Sequence, residues 1–175
     1  VVIEECVLRA LQLSDWVILA GGLGATHDDI TKSVLLKVFE CGLKKDAKVA
    51  GMLEAMFQAR GRGREVPESV RSQCEVPEKA EILYNEKGTA PGFKMLKGKS
   101  ILFSLPGVPL EMQYLFEKYV LTIFEKIKSL KFGKIKIIWE INFNEKRFIL
   151  FCDWYLNFTF SSKKYFPNYF LFFIN

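Results

Sequence analysis

The sequence is poor in the side chains that most catalytic and metal sites need. His27 is the single histidine among 175 residues, so a Ser-His-Asp or Cys-His catalytic group would have to depend on it. No G-x-S-x-G nucleophile motif is present. Because a lone histidine near a predicted helix start is more often a surface or capping residue than a catalyst, we interpret His27 in that way.

The cysteines lack the spacing of a metal site. No Cys-x-x-Cys pair occurs, and no cysteine has a histidine at the sequence distance of a zinc motif. We therefore expect reduced thiols in a reducing compartment, without structural zinc. The four cysteines are Cys6, Cys41, Cys74 and Cys152.

Long apolar runs and clustered charge are missing as well. No stretch of about 18 uncharged apolar residues could span a bilayer, and no basic segment followed by an apolar one marks a secretion signal. The formal net charge is +5, with the basic residues scattered along the chain. We therefore expect a cytoplasmic protein that binds neither membrane nor nucleic acid.

The sequence does contain an alternation of apolar strands and helices. Helical spacing of apolar residues covers Glu4 to Leu13, and the run DWVILAGG that follows predicts a strand buried on both faces. The next helix is expected to begin between Thr26 and Asp29 and to end near Gly42. Asp46 is expected to cap a further helix. This order is typical of an α/β domain.

Two of the apolar strands end in glycine-containing loops. GGLG, residues 21–24, ends the first, and LPGVP, residues 105–109, ends the strand KSILFS and precedes a helix predicted from about Leu110 to Lys128. Because the carboxyl ends of neighbouring parallel strands meet at one edge of a sheet, we expect these loops to lie together and to bind a ligand there.

Two adjacent carboxylates, Asp28 and Asp29, follow the first glycine loop. A glycine loop at a helix start is a common phosphate site, although a plain strand-to-helix turn is an equal alternative. One aspartate would cap the helix, and Thr26 with Asp29 has nearly the spacing of a capping box. The other would repel a phosphate unless a divalent cation such as Mg²⁺ lies between them. The pattern therefore predicts one capping and one cation-binding aspartate.

The composition changes abruptly near residue 129. Residues 129–175 hold ten of the 16 phenylalanines and contain no alanine, valine or methionine. KIKIIWEINF and similar stretches are compatible with added edge strands. However, patterning and turn chemistry disagree with one another there, so we favour a tail that is disordered or is not a genuine domain segment.

Four motifs in one order resemble a known family. GGLGATHDDIT, RGREVPESVRSQCEVPEKAEIL, NEKGTAPGF and LPGVPLEM are similar to the MoaB/Mog (molybdopterin-binding, MoCF biosynthesis) domain, in its form in the competence/damage-inducible protein A (CinA) family. The resemblance covers about residues 1–128. It implies a three-layer α/β MogA-like fold with a mixed, mostly parallel sheet that is incomplete at its N-terminal strand, and a homo-oligomer where the full domain is present.

The resemblance also implies a small phosphorylated ligand, either a pterin or a nucleotide. The glycine loop and the Asp-Ile-Thr that follows it are associated in the Mog branch with molybdopterin binding and adenylylation. In the CinA branch the domain is associated with divalent-metal-dependent hydrolysis of nucleotide pyrophosphates such as ADP-ribose. The implied ligand- and phosphate-binding residues are Gly21, Gly22, Gly24, Thr31, Gly88, Thr89, Ala90, Pro91, Gly92, Pro106, Gly107, Pro109 and Glu111.

Three functional hypotheses remain open. In the first, the domain is a pyrophosphatase in which Asp29 is the catalytic and metal-binding carboxylate, Asp28 is its helper or the helix cap, and Mg²⁺ or another divalent cation is the cofactor. In the second, it binds a molybdopterin-like ligand without turnover. In the third, it is an inactive truncated fragment, because the opening strand of the family has no counterpart in the chain.

Overall fold

A computed structural model describes residues 2–25, 29–59, 65–123, 134–143 and 146–155, of which the last two ranges are strands described by their backbone alone. The elements in chain order are α1 Val2–Leu13, β1 Trp16–Ala20, α2 Thr31–Phe39, β2 Leu43–Lys45, α3 Ala47–Ala59, α4 Glu68–Arg71, a 3₁₀ turn Ser72–Cys74, β3 Glu75–Pro77, β4 Glu81–Leu83, β5 Gly92–Lys97, β6 Ser100–Leu105, α5 Pro109–Leu115, a π-helical segment Phe116–Leu121, β7 Lys134–Phe143 and β8 Lys146–Tyr155.

A mixed sheet of six strands forms the middle layer, in the order β4-β5-β6-β1-β7-β8. β1 is parallel to both of its neighbours, β6 and β7. The other three pairings are antiparallel, so the expected mixed sheet is confirmed but its parallel part is confined to the centre. The reason lies partly in the short connection between β5 and β6, where Gly98 has φ +61°. Only antiparallel neighbours can be joined by so tight a turn.

The two faces of β1 bury different side chains, which creates two cores. Val17 and Leu19 pack in a cluster with residues of α1 and α2. Trp16, Ile18 and Ala20 pack on the opposite face in a cluster with residues of α5. Because successive side chains of a strand point to opposite faces, an all-apolar strand requires cover on both sides. The expected three-layer α/β fold is therefore confirmed.

Helix α1 is fixed to the sheet at both its apolar face and its C-terminal end. Ile3, Val7 and Ala10 recur at helical spacing and are buried. The hydroxyl of Ser100, at the start of β6, donates hydrogen bonds to the carbonyls of Leu11 at 2.7 Å and Ser14 at 2.9 Å. These bonds satisfy acceptors that the end of a helix leaves without an internal partner.

Helix α2 begins later than the sequence pattern predicts. Its first residue is Thr31, and the preceding Ile30 contributes no side-chain cap. The backbone N–H of Thr31 donates to the carbonyl of Gly22 at 3.1 Å, so the loop folds back on itself before the helix starts. Ile30 therefore holds the N-cap position that the sequence assigned to one of the two aspartates. Thr26, His27 and Asp28 lie outside the described residues.

The C-terminal end of α2 also differs from the prediction. Glu40, not Gly42, adopts the left-handed conformation, with φ 51°. The N–H of Cys41 donates to the carbonyl of Leu36 at 3.1 Å. This is the hydrogen bond of a Schellman ending, in which a left-handed residue turns the chain out of the helix.

The last helix and the tail match the sequence patterns in part. The helix predicted from Leu110 to Lys128 is an α-helix only to Leu115 and continues as a π-helix to Leu121. KIKIIWEINF forms β7, which pairs in parallel with β1. Whether residues 129–175 belong to an evolved domain stays a prediction. Among the helices of the described ranges, none is long and apolar enough to cross a bilayer.

The predicted cap of α3 is confirmed. Asp46 Oδ1 accepts a hydrogen bond from the Val49 N–H at 2.9 Å, and Val49 and Leu53 bury the helix face that follows. We expect Asp46→Ala to lower the free energy of unfolding by about 1 kcal/mol, because a first-turn N–H loses its acceptor. Urea unfolding would measure the change. Asp46→Asn retains an acceptor, and an equal loss in that variant would contradict the capping role.

Two glycines offer a matched test of packing. A methyl group at Gly92 would lie 2.9 Å from the Ser104 carbonyl oxygen and 3.1 Å from Leu115 Cδ1, whereas at Gly51, inside α3, it would meet nothing within 4 Å. We expect Gly92→Ala to destabilise the protein by about 1–3 kcal/mol through overpacking. Gly51→Ala should stabilise it by about 0.5–1 kcal/mol through helix propensity. Thermal unfolding of both variants would reveal the opposite signs, and equal shifts would refute the packing argument.

Candidate functional site

The GGLG loop leaves the end of β1 in a conformation that depends on glycine. Gly21 has φ 103° and Gly22 has φ 66°, which side-chain-bearing residues rarely adopt. The fully buried Thr31 holds this turn, because its hydroxyl donates to the Gly21 carbonyl at 2.9 Å. Thr31 therefore fixes the loop, and the ligand contact that the resemblance implies for it stays a prediction.

The Asp29 carboxylate lies directly against the glycine loop. A methyl group built on Gly24 would collide with it, so the absence of a side chain at Gly24 makes this approach possible. Lys32 lies one position beyond Thr31, and its ammonium group donates to the carbonyls of Ser72 and Glu75, each at 3.0 Å. The Asp29 carboxylate therefore lies at the loop, as predicted, and the Lys32 ammonium group is close enough to interact with its charge.

Lys32 is partly buried. Desolvation lowers the pKa of its ammonium group, and the nearby charges of Glu75, Cys74 and Asp29 partly offset this decrease. A half-buried lysine that is already bonded to two carbonyls serves mainly to hold the 3₁₀ turn Ser72–Cys74 against α2. Lys32 was not singled out by the sequence, since nothing in its spacing marks it as buried.

The LPGVP loop meets the GGLG loop, as the sequence predicts. The N–H of Gly21 donates to the Leu105 carbonyl at 3.0 Å. A methyl group on Gly107 would lie 3.2 Å from the Gly21 Cα, so the two backbones are nearly in contact. Pro106 is buried, and Pro109 is the first residue of α5, where its missing N–H costs nothing.

The NEKGTAPGF segment joins the same edge through α5. The Asn85 amide donates to Glu111 Oε2 at 2.7 Å and to the Ala90 carbonyl at 2.9 Å. Its oxygen accepts from the Lys87 N–H at 2.9 Å. The carboxylate of Glu111 also lies against Gly88, where any side chain would collide with it. Three predicted loops are thus brought together at one edge of the sheet.

The protonation of Glu111 is set by its half-buried position. Desolvation raises the pKa of its carboxyl group, and the hydrogen bond from Asn85 partly offsets the rise. Asn85 itself was missed by the sequence analysis. Its position two residues before Lys87 is the spacing of an Asx turn, and that signal could have identified it.

A small cleft lies between the NEKGTAPGF segment and α3. Residues of α3 line one side of it, and residues of the 85–91 loop line the other. The lining residues are Val49, Met52, Leu53, Asn85, Gly88, Thr89 and Pro91. Gly88, Thr89 and Pro91 were predicted as site residues from the sequence. No residue of α3 was predicted, because only the tertiary fold places that helix beside the loop.

The remaining predicted residues have varied positions. Ala90 is buried and accepts the Asn85 bond, and Gly92 is buried inside the sheet against Ser104 and Leu115. Asp28 lies outside the described residues. Within the ranges that the structure describes, no group of three His, Cys, Asp or Glu side chains could enclose a metal ion. A cation at Asp29 would therefore draw further ligands from phosphate oxygens and water.

Comparison with known proteins agrees with this architecture. A family model described as a probable molybdopterin binding domain of MoCF biosynthesis matches residues 1–126. A CinA-like protein of Frankia casuarinae is 39% identical over 122 residues, which cover 68% of this chain and 28% of that protein. A protein of Caldicellulosiruptor saccharolyticus named as competence-damage inducible is 43% identical over 122 residues, which cover 70% of this chain and 29% of that protein. The chain thus spans less than a third of the length of these relatives.

A solved structure shows the same fold. The protein CinA from Thermoplasma acidophilum, described as a protein of unknown function, is similar with a TM-score of 0.61 and 30% sequence identity, over 69% of each chain. The matched family covers the described strands and loops that build the candidate site. The chain therefore belongs to the molybdopterin-binding (MoCF biosynthesis) domain family, in the form found in CinA-like proteins.

Proposed function

We propose that this domain binds a nucleotide pyrophosphate at the carboxyl edge of its sheet and hydrolyses it with a divalent cation at Asp29. The observation that carries the proposal is the meeting of three loops around one edge, with the Asp29 carboxylate against the glycine turn. Hydrolysis adds one water across the P–O–P bridge, so ADP-ribose would yield AMP and ribose 5-phosphate.

The phosphate would lie on the GGLG loop and the first turn of α2. Helix N-termini present N–H groups and a positive dipole end to an anion. Ile30, at the N-cap position, makes no side-chain cap, and the Thr31 N–H is already bonded to the Gly22 carbonyl, so a phosphate would be received by the remaining N–H groups of this turn. Thr31 keeps the loop carbonyl of Gly21 engaged, which orients the loop for a ligand in advance.

The chemistry of Asp29 fits a hard divalent cation. Mg²⁺ is usually bound by one or two carboxylates together with phosphate oxygens and water, so a closed protein cage is not required. A bound cation would neutralise charge on the phosphoryl oxygens. Asp29 would hold it beside the glycine loop, and Asp28 stays a predicted helper.

The ring system of the ligand would lie along the mouth of the cleft beside α3. Val49, Met52 and Leu53 offer an apolar wall for a planar heterocycle, and Thr89 offers a hydroxyl at the opposite side. Ligand sites commonly combine apolar walls with a few polar groups in this way. Both a purine and a pterin satisfy this description.

A second candidate function is binding of a molybdopterin-like ligand without turnover. It is favoured by the matching family model, which is described as a probable molybdopterin binding domain. Calorimetry would show whether ADP-ribose or a pterin phosphate binds. An assay for product formation would separate the two candidates, because only the first requires hydrolysis.

The homo-oligomer and the cytoplasmic location implied by the sequence stay predictions.

We expect Asp29→Asn to lower Mg²⁺-dependent hydrolysis of ADP-ribose by about 100-fold or more, because the amide cannot replace a charged ligand or base. Product formation would be followed by chromatography, and thermal unfolding would verify the fold. Glu68→Gln, at the exposed start of α4, is the control and should leave turnover unchanged. Unchanged turnover in Asp29→Asn would reject the assignment.

The role of Thr31 can be tested separately from the chemistry. Thr31→Val keeps the shape of the side chain but removes the bond to the Gly21 carbonyl, so we expect about 1–2 kcal/mol lower stability and weaker ADP-ribose binding. Thr31→Ser keeps the hydroxyl and should behave more like the parent protein. If the valine variant bound ADP-ribose with the parent affinity, the loop would not depend on this bond.

A further inference from the structure

Three consecutive residues, Tyr84, Asn85 and Glu86, all contact the helical segment that begins at α5. The Tyr119 hydroxyl donates to the Tyr84 carbonyl at 3.5 Å. Asn85 donates to Glu111 at 2.7 Å, and Lys118 donates to Glu86 at 2.6 Å. One short stretch of chain is therefore fastened to one helical face, next to the cleft that carries Gly88 and Thr89.

Lys118 contacts two tyrosines of the same helical segment. It follows Tyr114 by four residues, and its Nζ donates to the Tyr114 hydroxyl at 2.7 Å. The same Nζ lies 5.0 Å from the ring centroid of Tyr114 and 5.4 Å from that of Tyr119. Glu111 lies about one turn before Tyr114.

We propose that Glu111 is a positioning residue that acts through Asn85 to fix the 85–91 loop, and with it one wall of the ligand cleft. The proposal rests on the proposed function only for the identity of the ligand. The carboxylate reaches across to the loop because Gly88 has no side chain to block it.

The bonding of Asn85 shows how one contact can fix the whole loop. Its amide nitrogen donates both to Glu111 and to the Ala90 carbonyl, while its oxygen accepts the Lys87 N–H. The amide therefore closes the loop on both sides of Gly88 and Thr89. Because Asn85 is only 4% exposed, water cannot readily replace a lost partner.

The neighbouring Lys118–Glu86 pair differs from Asn85 in its exposure to solvent. Its side chains are 37% and 61% exposed, so solvent screens their attraction. Both pairs fasten the same stretch to the same helical face, yet only the Glu111–Asn85 contact involves a buried side chain, that of Asn85. The exposed pair therefore provides a matched control.

The opposite wall of the cleft is tied to the same stretch. The Tyr84 hydroxyl donates to Asp46 Oδ2 at 3.4 Å, and Lys48 Nζ lies 3.9 Å from the Tyr84 ring centroid. Both residues lie at the start of α3. Loosening Asn85 would consequently change the distance between the loop and α3, which sets the width of the cleft.

Hydrogen exchange tests the proposal without any ligand. In Glu111→Ala we expect the Lys87 amide to exchange about tenfold faster or more, because Asn85 loses its charged partner and with it the fixed orientation of its oxygen. Glu111→Gln provides an amide oxygen in place of the carboxylate and should restore most of the protection. Glu86→Gln should change the Lys87 rate less than about twofold.

Glu111→Asp serves where the alanine variant does not fold. It keeps the charge and withdraws the carboxylate by one methylene, so protection at Lys87 should still fall. Unchanged exchange in the folded alanine or aspartate variant would overturn the proposal. So would an equal effect of Glu86→Gln, since the Glu111–Asn85 contact would then have no special role.

Calorimetry with ADP-ribose and Ca²⁺, used in place of Mg²⁺ to prevent turnover during the titration, provides the second readout. We expect Glu111→Ala to weaken binding about tenfold, with recovery in Glu111→Gln and no change in Glu86→Gln. If the parent protein does not bind ADP-ribose, the proposed function fails while the exchange result still decides the role of Glu111. Faster exchange in Glu111→Ala together with unchanged affinity would overturn the link between loop order and binding.

Discussion

The parallel pairing of β1 with β6 determines where the candidate site can form. Their register places Ala20 opposite Leu105, so both strands end at the same level of the sheet. The ladder continues for one more bond, from the Gly21 N–H to the Leu105 carbonyl. Two loops far apart in sequence must then leave the sheet side by side, and Gly107 can approach the Gly21 backbone because neither residue has a side chain.

Carboxylates packed against glycines occur twice at this edge. Asp29 lies against Gly24 and Glu111 lies against Gly88. Their environments differ, because Glu111 is bonded to the buried Asn85 and burial raises its pKa. The same arrangement of a carboxylate beside a glycine therefore occurs in two different environments at one edge of the sheet.

The cleft combines parts of unequal rigidity. The sheet and its two cores are built from fully buried side chains such as Leu19 and Phe103. Helix α3 belongs to a smaller cluster, centred on Val49, Leu53 and Val66, that meets the sheet partly through Tyr84 and Ile82. Fewer buried contacts imply easier local opening. Residues 84–86 contact both α3 and the helical segment that begins at α5, so these contacts join the two sides of the cleft.

Local patterns were enough to predict β1, β6, the cap of α3 and the juxtaposition of the GGLG and LPGVP loops. These features depend on burial periodicity, capping chemistry and the alignment of parallel strands, all of which are expressed within a few residues. The start of α2 at Thr31 was mispredicted, because the deciding bonds to Gly21 and Gly22 come from a loop that folds back on itself.

Long-range packing settled the rest of the site. The bond between Asn85 and Glu111 joins residues 26 positions apart, and no local pattern distinguishes it from solvent contacts of the same side chains. The α3 wall of the cleft has the same origin. Short-range chemistry thus specifies which loops can bind a ligand, whereas burial of side chains from distant segments specifies their separation and the protonation of the groups between them.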